Sequence, residues 1–95
     1  MTVSLVDKRR SGKRIPGLDL ANGTWFTILD IPDMESLVNQ KHTNDSLNVT
    51  PAKAKKMADI VEAWKPPDGW SGDEPEKMKR YIVEFLRGCN GFRSH

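Results

Sequence analysis

Met57, Ile60, Val61 and Trp64 recur at i, i+3, i+4 and i+7 within VTPAKAKKMADIVEAW, which sets them on one stripe of a helix. Lys55, Asp59 and Glu62 fall off that stripe, and Lys55 and Asp59 form an i,i+4 pair worth about 0.2–0.5 kcal/mol. Thr50 has the hydroxyl that an N-cap needs, and Pro51 follows at the first helical position, where its missing N–H costs nothing. Pro66 disfavours a helical Lys65, so the pattern predicts a helix over 51–64.

A second stripe runs through DEPEKMKRYIVEFLRG. Met78, Ile82, Phe85 and Leu86 share a face, with Tyr81 at its margin. Asp73 and Glu76 have the spacing of a capping box, Pro75 sits in the first turn, and Gly88 suits a left-handed helix end. These signals predict a helix over 74–87, joined to the first by the turn-rich KPPDGWSGD. In the tail CNGFRSH, Phe92 is placed to fold back on the last turn.

The N-terminal half is less periodic. VSLV reads as a short edge strand, and IPDMESLVNQKH as one or two helical turns carrying Met34, Leu37 and Val38. The stretch LDLANGTWFTILD supports two readings. Asn22-Gly23 suits a type I′ hairpin turn between β-prone runs. The same Asn22 could cap a helix with Trp25, Ile28 and Leu29 on one stripe, whereas a strand would send Trp25, Phe26, Ile28 and Leu29 to both faces.

In NDSLNVTPAKAKKMADIVEAW and YIVEFLRGCNGF the chain resembles a group of small uncharacterised bacterial proteins. Their pattern is a tryptophan opening an apolar helix, an Asn-Asp-Gly-like turn, a capped helix with alanines, a variable linker and a Phe-rich helix ending in Gly-Gly-Phe. Trp25 matches the first element, Asn44-Asp45 the turn, Val49 through Trp64 the middle helix and Phe85 through Phe92 the close. Ser46 and Asn90 stand where the pattern has glycine, and the segment between Trp25 and Asn44 is short. The resemblance implies a helix after Asn22 and carries no activity with it. The expected fold is therefore a small, mainly α single domain with secure helices at 51–64 and 74–87, its N-terminal half helical or a short β-hairpin.

Composition narrows the function. Fifteen Lys and Arg against thirteen Asp and Glu give a net charge of +2, and no apolar run approaches the roughly 18 residues of a membrane span. With a single cysteine, Cys89, no internal disulfide can form, which points to a reducing, cytoplasmic setting. Charge is unevenly placed: Lys8, Arg9, Arg10, Lys13 and Arg14 fall within the seven residues KRRSGKR, and the remainder is net acidic. The expected organisation is a flexible basic arm over 1–14 and a globular domain over 15–95. Such an arm can bind phosphates or serve as a solvated tail.

No catalytic or metal constellation is visible. Two histidines, His42 and His95, and one cysteine match none of the CxxC, HExxH or EF-hand spacings, and the glycines form no phosphate-cradling loop. Cys89 with either histidine could make a nucleophile–base pair, but a cysteine just past a helix end is more commonly a small packing residue. Trp70 lies in the loop PPDGWSG, where it either plugs the gap between the helices or anchors a partner. The sequence thus favours a non-enzymatic protein-binding module without cofactor, an adaptor, regulator or inhibitor, with Trp70 as a candidate contact if it is not the plug. Nucleic-acid binding through residues 8–14 is the alternative. The oligomeric state and the partner's identity are left open.

Overall fold

The computed structural model describes residues 2–8, 15–38, 47–70 and 72–94. Strand β1 (Thr2–Asp7) is followed by β2 (Leu18–Ala21), helix α1 (Asn22–Leu29) and the short α2 (Met34–Val38). Then come β3 (Asn48–Val49), α3 (Pro51–Ala63), α4 (Pro75–Gly88) and β4 (Phe92–Ser94). The strands form one antiparallel sheet in the order β2-β1-β4-β3. The fold is therefore mixed α/β, and the mainly α expectation is corrected by this sheet.

The sheet is built from alternation too brief to stand out in sequence. Val3, Leu5, Leu20, Val49 and Phe92 point inward and are buried, while Val6, Asp19, Asn48 and Arg93 point outward and are exposed. Trp25 of α1 and Phe85 of α4 both meet the Phe92 ring edge-on, with centroids 6.2 and 6.0 Å apart. The helices thus cover one sheet face and leave the other open. VSLV is an interior strand, flanked by β2 and β4, where an edge strand was expected.

Both long helices appear where the apolar stripes put them. Thr50 Oγ1 accepts from the Lys53 amide at 3.2 Å, as its capping role requires. Met57, Val61, Ile82, Phe85 and Leu86 are buried together with Ala54 and Ala58, whose small side chains complete the α3 face, and Ile60 packs half-buried at the margin. The expected box at Asp73 and Glu76 does not form: Glu74 is the N-cap and no side chain caps α4. Gly88 stays helical, and the left-handed residue is Gly91, with φ of 77°.

LDLANGTWFTILD takes its helical reading after Asn22. Leu18–Ala21 is a strand, but its partner is β1 upstream, and Asn22-Gly23 opens α1 instead of turning a hairpin. The cap is Ala21, still extended (φ −60°, ψ 147°), and Asn22 makes no capping bond.

Candidate nucleic-acid interface

Alternation along β1 sends Ser4 and Val6 to the open face. On that face Val6 is level with Arg93 of β4, and Arg93 with Asn48 of β3. Lys8 continues the ladder, its amide donating to Gly91 O at 3.1 Å, and its ammonium donates to Asn48 Oδ1. Gly91 makes this crossing possible. A Cβ there would lie 2.9 Å from Lys8 Cε and 2.6 Å from Val49 O, so only glycine lets the lysine stem cross toward β3. Two cations and an amide from three chain segments therefore share one corner. At the other end of the face Ser4 donates to Asp19.

The basic run begins at this corner. Leu5 pairs with Leu18, so residues 8–17 connect two hydrogen-bonded strands, and KRRSGKR lies within that connection. Thr2–Asp7, assigned from sequence to a flexible arm, belongs to the sheet, with Val3 and Leu5 fully buried. The buried Asp7 carboxylate, just before the run, bonds to Ile15 just after it and to Asn90 in the link between α4 and β4. Its Oδ2 accepts from the Ile15 amide at 3.3 Å and its Oδ1 from the Asn90 amide at 3.0 Å. Of the five sequence-predicted cations, Lys8 is placed here; Arg9, Arg10, Lys13 and Arg14 lie outside the described residues.

Arg93 escaped the sequence reading because a three-residue strand at the chain's end gives no usable period. The pattern F-R-S, with Phe92 and Ser94 buried and Arg93 exposed, is its only trace. The backbone beneath it is held firmly: Ser94 N donates to Leu47 O at 2.8 Å, and Leu47 N to Ser94 Oγ at 2.9 Å.

The other sequence candidates are placed as follows. Trp70 is 6% exposed, packs edge-on against Trp64 with centroids 5.1 Å apart, and so takes the plug role. That burial leaves almost no ring surface for a partner to grip. Cys89 is buried, its Sγ 3.5 Å from Leu86 O, and both histidines lie outside the described residues. Among the described residues no group of three His, Cys, Asp or Glu side chains could hold a metal ion. No helix among them is long and apolar enough to cross a membrane.

Two further surface features lie on α4. A hollow of about 480 Å³ is lined by Asp73, Glu74, Lys77, Met78 and Tyr81, the last 45% exposed. Elsewhere Arg87 donates to Glu62 and to Asp59, the latter at 3.4 Å. The hydrogen bond and charge of Arg87 hold the Glu62 carboxyl below its ordinary pKa, and the same bond raises the guanidinium's.

Together these features define a two-layer α/β domain with one sheet face bare and a cationic corner on that face. The chain belongs to the family described as a domain of unknown function (DUF7739), whose model matches residues 1–84. That span contains the basic run and ends inside α4, before the strand that carries Arg93. No curated protein and no solved structure matches the chain.

Proposed function

We propose that this chain is a non-enzymatic binding module whose partner is the phosphate backbone of a nucleic acid. The observation that carries the reading is the mounting of the basic run. Its five cations fall between Asp7 and Ile15, which are joined by a bond from the Ile15 amide to the buried Asp7 carboxylate, and its first member, Lys8, lies near Arg93 on the bare sheet face. Cations clustered in sequence displace condensed counterions when they meet phosphates. The remaining chain has ten Lys and Arg (15 − 5) against thirteen Asp and Glu, so the attraction is confined to one region.

Salt dependence tests this. Five phosphate contacts on duplex DNA correspond to a slope of about −4.5 in log K against log salt. A slope steeper than about −3, lost when Arg9, Arg10 and Arg14 are replaced by Glu with the thermal midpoint preserved, is the expected result. Weak binding that barely changes with salt would overturn the reading. A protein partner is the second reading, favoured by the exposed Tyr81 and the neighbouring Met78 in the α4 hollow, side chains of the kind that interfaces select. Under it, a protein retained from lysate after nuclease treatment would be released by Tyr81→Ala.

A further inference from the structure

Resting on the nucleic-acid reading above, we infer that the bare sheet face is part of the binding surface, with Arg93 as its phosphate contact and a duplex as its occupant. Arg93 differs from Arg87, whose guanidinium is held by two carboxylates. Among the described residues Arg93 has no ion-pair partner. It projects from an interior strand whose inward neighbours are Phe92, wedged between Trp25 and Phe85, and Ser94, bonded to Leu47. A guanidinium on so rigid a base loses little backbone freedom when it pairs with a phosphate, and its planar fork suits two oxygens at once.

The neighbours fix the kind of contact. Lys8 and Asn48 supply an ammonium and an amide beside Arg93, and Val6, 38% exposed, offers an apolar spot between them and the Ser4–Asp19 pair. Among the described residues no aromatic ring lies on this face, so none of them offers a base-stacking platform there. The occupant is held by its backbone and charge density, which favours a duplex and predicts little dependence on base sequence.

The test uses the full chain and a fluorescent duplex of about 20 base pairs, with the corresponding single strand for comparison, at about 50 and about 200 mM salt. Arg93→Ala should weaken duplex binding several-fold at the lower salt and reduce the slope by about 0.9. Arg93→Lys should keep the slope, and Arg80→Ala, which removes an exposed cation from α4, should leave binding unchanged. If the unmodified chain binds and Arg93→Ala behaves like Arg80→Ala, the sheet face has no role while the basic run keeps its own. If the unmodified chain binds neither strand form, the functional reading itself fails and this inference with it. Tighter binding to the single strand than to the duplex would overturn the choice of occupant.

Discussion

The indole Nε1 of Trp70 donates to the backbone carbonyl of Thr24 across 3.2 Å, joining the loop between α3 and α4 to the first turn of α1. One side chain thus ties together parts of the fold that are 46 residues apart in sequence. Trp70→Ala removes both the ring packed on Trp64 and this bond, and should cost about 3–5 kcal/mol. Trp70→Phe keeps most of the packing and should cost about 1 kcal/mol for the lost bond alone. Denaturant midpoints at constant slope distinguish the two.

Gly91 and Gly69 offer a matched comparison, since both have φ near 80° but only Gly91 is crowded. Gly69→Ala should cost about 1–2 kcal/mol, the strain of a left-handed alanine in open space. Gly91→Ala adds a methyl 2.6 Å from the Val49 carbonyl and should cost at least about 2 kcal/mol more. Equal losses at the two sites would show that β3 and Lys8 can move aside.

Asn22 carries a buried Oδ1 with no hydrogen-bond partner, and Ala21 already serves as the cap. Removing this unpaired buried oxygen, and placing a better helix former at the start of α1, should be neutral or stabilising by up to about 1 kcal/mol. A fall in thermal midpoint for Asn22→Ala would restore the capping role that the sequence suggests.

Glu62 should report its partner by titration. Its folded pKa lies below the ordinary carboxylate value, so the pairing contributes above that value and fades as pH falls through the depressed one. Both groups are solvent-exposed, so Arg87→Ala should change stability only slightly at neutral pH and still less in acid or high salt. The carboxyl carbon of Glu62, followed by NMR, should titrate at higher pH in Arg87→Ala than in the unmodified chain.

The parts of this fold legible in sequence are those whose signal is local. Thr50-Pro51, the stripe from Met57 to Trp64 and the stripe from Met78 to Leu86 each contain their whole explanation within a few turns. The sheet does not. Its strands have six, four, two and three residues, and the inward positions include the polar Asp7 and Ser94, which hides the alternation. Asn22-Gly23 was ambiguous for a related reason: both of its local readings were chemically sound, and the helix prevails while Leu18–Ala21 pairs with distant β1. The same division runs through the candidate site. Charge clustering shows in the letters KRRSGKR, but the Asp7 bond to Asn90 and Arg93 beside Lys8 depend on contacts between opposite ends of the chain.

The strand order also sets a timetable for folding. The β1–β2 and α3–α4 pairs join segments close in sequence and can form as soon as their own residues meet. The pairing at the centre of the sheet brings β1 against β4, and the Asp7–Asn90 bond beside it spans 83 residues. Closing so long a loop is slow and unfavourable until earlier contacts shorten the search. The hairpin and the helix pair should therefore acquire protection from hydrogen exchange first during refolding, and the β1–β4 amides last. Substitutions in that central pairing, Phe92→Leu among them, should mainly speed unfolding and leave the refolding rate nearly untouched.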